Sequence, residues 1–125
     1  MPEKKIVVVD DVPSMIRILL LTFVQLGYQT LKAMDGFEGV QVIREEEPDL
    51  VVVDVMMPGK DGYALCQEIR ADTSLSRQPY IIMLTARGMA SERKRAQASG
   101  ADEFMTKPFS PSQLAQHVRQ ILEMR

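Results

Sequence analysis

The residues best suited to chemistry in this 125-residue chain are three aspartates, one threonine and one lysine, spread along its length. Asp10 and Asp11 follow the apolar run KIVVV, Asp54 ends the run LVVVD, Thr85 follows YIIML, and Lys107 follows EFMT. One polar residue after a strand is more often a turn or cap residue than a functional group. Four strands that each end in such a residue are a much rarer pattern. Because ligands bind outside the carboxyl ends of the strands in open parallel sheets, the pattern predicts a single polar site.

The acidic residues of this predicted site favour a bound metal. Two carboxylates about 4 Å apart repel by about 4 kcal/mol at an effective dielectric constant near 20. If Asp10, Asp11 and Asp54 converge, they therefore favour a hard divalent cation, and Mg²⁺ prefers such oxygen ligands. An alternative role for Asp10 and Asp11 is to cap the helix that begins near Pro13, and Asp11 could combine both roles.

The elements that must position these residues follow a regular alternation. Apolar, β-branched runs alternate five times with stretches of helical period, which predicts βαβ units and a parallel sheet covered on both faces. The predicted strands span residues 28–33, 49–54, 80–84 and 103–106 after a first strand at 5–9, and the predicted helices span 13–27, 35–47, 61–73, 90–100 and 110–124. We expect one domain over residues 1–125, with no output domain in this chain.

Turn and cap residues agree with these boundaries. Gly27 and Gly100 lie where glycine ends helices. Asp35, three residues before Glu38, has the spacing of an N-terminal capping pair. Ser110 followed by Pro111 predicts another helix start.

Composition excludes several classes of protein. The net charge is −2 and the single cysteine cannot form an internal disulfide, so the chain should attract neither nucleic acid nor a membrane surface and fits a reducing, cytoplasmic compartment. A local basic cluster consists of Arg87, Arg93, Lys94 and Arg95. We interpret it first as a solvated face, second as a partner surface and only third as a nucleic-acid contact.

Together, the pair Asp10-Asp11, Asp54 within DVMMPGKDG, Thr85 within LTAR and Lys107 within TKPF resemble the receiver domain of bacterial two-component response regulators. The resemblance covers essentially the whole chain and includes the order and spacing of all five residues. It implies a flavodoxin-like (βα)5 fold, a doubly wound parallel sheet with strand order 2-1-3-4-5.

The resemblance also implies the chemistry of the site. Asp54 would accept a phosphoryl group from a sensor histidine kinase or a histidine phosphotransfer protein. The reaction would need Mg²⁺, for which Mn²⁺ can substitute, held by Asp10, Asp11, Asp54 and the backbone carbonyl of Met56. The side chains of Met56 and Arg87 would flank the path of attacking water and so tune the lifetime of the phosphoryl group.

The same resemblance implies a switch. Thr85 and Lys107 would bind the phosphoryl oxygens, and Phe104 would be the aromatic residue that turns inward on activation, a position where tyrosine is more usual. The Lys107-Pro108 bond is a candidate cis peptide.

Signalling would then change the surface of the fourth helix, fifth strand and fifth helix. This surface would control a downstream partner or output domain, or a phosphorylation-dependent dimer. We expect self-phosphorylation and self-dephosphorylation chemistry only, and so no enzyme. His117, the single histidine, is interpreted as a surface or interface residue.

Two other classes of protein use related features. A small Mg²⁺-dependent phosphohydrolase of the haloacid dehalogenase type would place its nucleophile after the first strand in a D-x-D arrangement, which VVVDDVPS lacks. A flavodoxin-like FMN carrier would need a phosphate-binding loop at that position, where DDVPSM is acidic.

Overall fold

The computed structural model describes residues 3–86 and 90–125. Within these ranges the strands are β1 (Lys5–Val9), β2 (Gln29–Ala33), β3 (Leu50–Asp54), β4 (Tyr80–Thr85) and β5 (Glu103–Thr106). The helices are α1 (Pro13–Val24), α2 (Gly36–Glu46), α3 (Gly62–Ala71), α4 (Ala90–Ser99) and α5 (Pro111–Glu123). All strands are parallel, in the order β2-β1-β3-β4-β5. The predicted flavodoxin-like fold is confirmed.

The sheet separates two apolar layers, because successive side chains of a strand point to opposite faces. Val7, Val9, Val51 and Val53 pack with the buried faces of α2 and α3. On the other face, Ile6, Val8, Leu50 and Val52 pack against α1 and α5. Burial on both faces explains why these strands are continuous apolar runs.

The predicted helix ends agree with the structure to within a few residues. Helix α1 ends at Val24, and the chain then tightens because Gly27 donates its backbone N–H to the Val24 carbonyl at 2.9 Å. Gly27 and Gly100 take the positive φ angles of 88° and 101° that suit glycine after a helix. The Asp35 carboxylate accepts a hydrogen bond from the Glu38 amide at 2.8 Å.

At the edge of the sheet where the strands begin, which we call the N-terminal edge, the carboxylates have partners. Asp49, 3% exposed, accepts a hydrogen bond from the Lys5 amide at 2.8 Å and forms an ion pair with Arg77 at 2.5 Å. Asp102 accepts from the Ile81 amide at 2.8 Å.

Arg70, near the end of α3, connects several segments at the same edge. Its guanidinium donates to the Gly100 carbonyl at 2.8 Å, to Gln78 and the Pro79 carbonyl at 2.9 Å, and to Asp102 at 2.8 Å. One side chain thereby joins the ends of α3 and α4 to the loop before β4.

The two ends of the described chain meet at this edge. The Lys4 ammonium donates to the backbone carbonyl of Arg125 at 3.1 Å, and the Arg125 guanidinium donates to the Gln78 carbonyl at 2.8 Å. Across the described ranges, no helix combines the length and apolar character that a membrane crossing requires.

Candidate functional site

The opposite edge of the sheet, which we call the C-terminal edge, carries the predicted polar site. Asp10, Asp11 and Asp54 lie there with one carboxylate oxygen from each within 4.8 Å of the others. Strands β1 and β3 are neighbours in the sheet, so their ends necessarily present these side chains side by side.

Asp10 is 1% exposed and uses only part of its hydrogen-bonding capacity. One oxygen, Oδ1, accepts from the Val12 amide at 2.9 Å, which shapes the turn before α1. The other, Oδ2, has no hydrogen-bond partner among the described residues, and the Lys107 ammonium lies 3.6 Å away. Helix α1 has no side-chain cap, so helix capping does not explain this carboxylate.

Asp54 is buried, with 6% of its surface exposed. Its Oδ1 atom accepts a hydrogen bond from the Lys107 ammonium at 3.3 Å. Burial, and then the Asp10 carboxylate, raise the pKa of Asp54 above its ordinary value of 3.8, while Lys107 and a hydrogen bond from the Met56 amide oppose the rise. One lysine therefore compensates only part of the negative charge of two buried carboxylates.

This donor set fits a hard divalent cation. Three carboxylates lie within reach of one ion, and the unpartnered Asp10 oxygen is buried where an unsatisfied acceptor is costly. Mg²⁺ is commonly held by one or two carboxylates together with waters and phosphoryl oxygens. The residues present therefore fit the predicted metal.

The loop after β3 packs closely over the acceptor strand. Gly59 has a φ of 78°, which glycine adopts readily and which lets the chain turn after β3. A Cβ atom added to Gly62 would lie 2.6 Å from the carbonyl oxygen of Asp54, and the Gly62 amide donates to the Val55 carbonyl at 3.0 Å. In this loop, the side chain of Met56 is 64% exposed.

Strands β4 and β5 place Thr85 and Lys107 at the same edge. Thr85 is 1% exposed, and its carbonyl accepts a hydrogen bond from the Lys107 amide at 2.6 Å. The Lys107-Pro108 peptide bond is cis. The structure thus brings the lysine, the threonine and the aspartates to one edge.

Phe104 lies farther from the acidic cluster, on β5, opposite Met83 of β4. Its ring is partly buried against the core, and the Arg93 guanidinium lies 5.2 Å from the ring centroid. Arg87, predicted to tune the phosphoryl lifetime, lies outside the described residues.

Several polar contacts were not predicted from the sequence. The Tyr63 hydroxyl of α3 donates to Glu92 of α4 at 2.5 Å. Glu103 accepts from the Tyr80 hydroxyl and lies 2.6 Å from the ring nitrogen Nε2 of His117. Their partners are far apart in sequence, so no local pattern could have identified them.

Comparisons with known proteins agree with this geometry. The family model described as "Response regulator receiver domain" matches residues 6–119. The protein named "Probable transcriptional regulator ycf27" from Cyanophora paradoxa is 44% identical over 120 residues, which are 96% of this chain and 48% of that protein. The chain therefore spans about half the length of this curated relative.

Solved structures give the same picture. The chemotaxis protein CheY4 of Vibrio cholerae is 26% identical, with a TM-score of 0.88 over 96% of this chain and 99% of that one. The BeF3-activated N-terminal receiver domain of RstA from Klebsiella pneumoniae is 29% identical, with a TM-score of 0.85 over 95% of this chain and 98% of that one. These similarities do not favour the phosphohydrolase alternative.

Proposed function

The chain belongs to the response regulator receiver domain family, and from this premise we propose that it is a signalling switch whose phosphoryl acceptor is Asp54. Receiver domains act as signalling switches rather than as conventional enzymes. The observation that carries the assignment is a buried carboxylate beside a lysine ammonium at 3.3 Å and beside a second buried carboxylate with an unpartnered oxygen.

In the proposed reaction, a carboxylate oxygen of Asp54 attacks the phosphorus atom of a phosphorylated histidine. A phosphorus–oxygen bond forms as the phosphorus–nitrogen bond of the donor breaks. The electron pair of the broken bond stays on the ring nitrogen of the imidazole, and the ring takes one proton from solvent, so that the donor histidine is released in its neutral form. The donor would be a sensor histidine kinase or a histidine phosphotransfer protein.

The surrounding residues would lower the barrier by compensating charge. Lys107, already beside Asp54, can pair with a phosphoryl oxygen as negative charge develops. Asp10, Asp11, Asp54 and the Met56 carbonyl would hold Mg²⁺, which when bound neutralises charge on the transferring group. The exposed Met56 side chain would affect the access of water, and so the phosphoryl lifetime.

The signalling output would follow from the charge that phosphorylation adds at Asp54, about −1.5 to −2 by analogy with other phosphoryl groups. Thr85 would hydrogen-bond a phosphoryl oxygen, and Phe104 would turn into the space vacated below. The surface formed by α4, β5 and α5 would then change and control a partner or output domain, or a dimer. Because the ring is already partly buried, completing its burial would supply less than the roughly 1.5–3 kcal/mol of burying a fully exposed side chain, and would bias an equilibrium between states of similar free energy.

Intact-protein mass spectrometry tests the acceptor directly. With Mg²⁺ and a small phosphodonor, the protein should gain one phosphoryl group, and Asp54→Asn should gain none because the amide is not a competent nucleophile. Asp72→Asn, at the end of α3 near the other edge, is the control and should be labelled normally. Full labelling of Asp54→Asn would refute the assignment.

A further inference from the structure

Helix α4 is attached to the domain in an unusual way. Between Ala90 and Ser99, the buried residues are Ala96 and Ser99, both small. By contrast, the neighbouring α3 buries Tyr63, Leu65, Cys66 and Ile69. Small side chains bury little apolar area, so polar contacts must contribute much of the attachment of α4.

At its C-terminal end, α4 is held by several contacts. The Arg70 guanidinium donates to the Gly100 carbonyl at 2.8 Å, and a Cβ atom added to Gly100 would lie 2.6 Å from Cγ of Arg70. One turn before Arg70, the buried Cys66 of α3 lies beside the buried Ser99 of α4. Helices α3 and α4 both run from the C-terminal edge of the sheet back to the N-terminal edge. These contacts therefore fix the C-terminal ends of the two helices at the N-terminal edge.

Near its N-terminal end, α4 contacts α3 through a different group, which we call the Tyr63 contact: Tyr63, Glu92 and Arg95. The Tyr63 hydroxyl donates to Glu92 at 2.5 Å, and the Arg95 guanidinium lies 4.3 Å from the centroid of the same ring. Tyr63 is 4% exposed, whereas Arg95 is exposed. Burial, and then Glu92, raise the pKa of Tyr63 to about 12, so its hydroxyl remains a donor at neutral pH.

The Tyr63 contact is joined to the acceptor through the backbone. Tyr63 directly follows Gly62, whose Cα is so close to Asp54 that an added Cβ would lie 2.6 Å from the Asp54 carbonyl and 2.9 Å from Cα of Val55. A displacement of the Asp54 backbone therefore reaches α3 at Tyr63 with no compressible gap between them.

We propose that the Tyr63 contact is a latch that holds the N-terminal end of α4 in its resting position, and that loading of Asp54 releases it through Gly62. This inference rests on the proposed function and adds a second connection between the acceptor and α4, separate from Thr85 and Phe104. Helix α4 pivots about its end at Arg70, because that end stays fixed. A latch that favours the resting state opposes activation, so weakening it favours the activated state.

Removing the Tyr63 hydroxyl isolates this effect. In Tyr63→Phe, the α4 amide resonances of the unloaded protein should shift toward the positions that they occupy in the wild-type protein with beryllofluoride and Mg²⁺. Beryllofluoride should bind about tenfold more tightly, as expected if one hydrogen bond to a charged acceptor opposes loading. Glu92→Gln keeps a hydrogen-bond acceptor but loses the negative charge. It should therefore shift the α4 amide resonances and raise the beryllofluoride affinity in the same direction as Tyr63→Phe, but by less.

The chain supplies a control in Ser76→Ala. Ser76 also donates its hydroxyl to a glutamate, Glu47, at 2.7 Å, but outside α4, β5 and α5, so its removal should leave the beryllofluoride affinity unchanged. If Tyr63→Phe unfolds more easily in urea yet keeps the wild-type α4 resonances and beryllofluoride affinity, the contact is only structural and the latch is refuted.

The same titration separates this inference from the proposed function. A wild-type protein that does not bind beryllofluoride, or an Asp54→Asn variant that binds it fully, would refute Asp54 as the acceptor and the latch with it. A normal wild-type response with no effect of Tyr63→Phe would refute the latch alone.

Discussion

Both edges of the sheet carry aspartates near basic residues, but the aspartates are paired differently at the two edges. At the N-terminal edge, Asp49 is paired with Arg77 and with the Lys5 amide, and Asp102 is paired with Arg70. At the C-terminal edge, three aspartates share one site with Lys107, and one buried oxygen of Asp10 has no hydrogen-bond partner among the described residues.

This difference distinguishes charges that stabilise the fold from charges that await a ligand. A buried acceptor with a partner contributes to stability, whereas one without a partner, beside a like charge, costs free energy until a cation or donor arrives. Substitutions at the two edges should therefore change stability with opposite signs.

The largest expected effect is at the N-terminal edge. Arg70→Ala should lower the free energy of unfolding by about 3 kcal/mol, because several hydrogen bonds, each contributing about 0.5–1.5 kcal/mol, are lost together. Urea denaturation measures this change. Arg119→Ala removes an exposed ion pair within α5 and should change the free energy of unfolding by no more than about 0.5 kcal/mol. Equal effects of the two variants would show that the Arg70 hydrogen bonds stabilise the fold no more than an exposed ion pair does.

A smaller effect of the opposite sign is expected at the C-terminal edge. Asp11→Ala should raise the free energy of unfolding by about 1 kcal/mol in metal-free buffer, because it relieves repulsion among the carboxylates. The same variant should lose the stabilisation that Mg²⁺ gives to the wild-type protein. Thermal melts with Mg²⁺ and with a chelator test both parts, and a metal-induced shift as large as that of the wild type would exclude Asp11 from the site.

The smallest expected effect is on how the free energy of unfolding depends on pH. Burial and Asp10 raise the pKa of Asp54 above 3.8, so the folded state holds this proton more tightly than the unfolded chain. Its contribution to stability is present below pH 3.8 and is lost as the pH rises through the raised pKa. In a chelator, the stability of Asp54→Asn relative to the wild type should therefore increase as the pH rises from 3.8 through the raised pKa of Asp54.

Asp72 provides the opposite case. Hydrogen bonds from Ser74 and then Arg44 lower the pKa of Asp72 from 3.8 to about 2. Its contribution to the stability of the fold is therefore present above pH 3.8 and is lost as the pH falls toward 2. Asp72→Asn should accordingly lose stability relative to the wild type as the pH rises over this range. Parallel pH profiles for the two variants would contradict the proposed difference between the paired and unpaired carboxylates.

The sequence predicted the features that depend on short-range pattern. Every predicted strand and helix is present, because strand runs, helical periods and caps such as Asp35 are determined by neighbouring residues. The meeting of Asp10 and Asp54 could also be predicted, since parallel strands bring their ends to one edge.

Contacts between helices could not be predicted in this way. Arg70 and Arg44 both occupy polar positions near the ends of helices. Only the packing of α3 beside α4 lets Arg70 connect several segments at the N-terminal edge. Similarly, Tyr63 meets Glu92, which lies 29 residues later in the sequence, through the relative position of α3 and α4, and the helical period of either helix does not specify that position.

The contact between Lys4 and Arg125, near the two ends of the described chain, has a practical consequence for tethering. Strand β1 carries the chain from Lys5 to Val9, a rise of roughly 13 Å, before it reaches Asp10. A fluorophore, affinity tag or solid support attached at Lys4 or Arg125 would therefore lie at the opposite edge of the sheet from the acceptor. Immobilisation through either residue should leave the approach of a phosphodonor to Asp54 unobstructed.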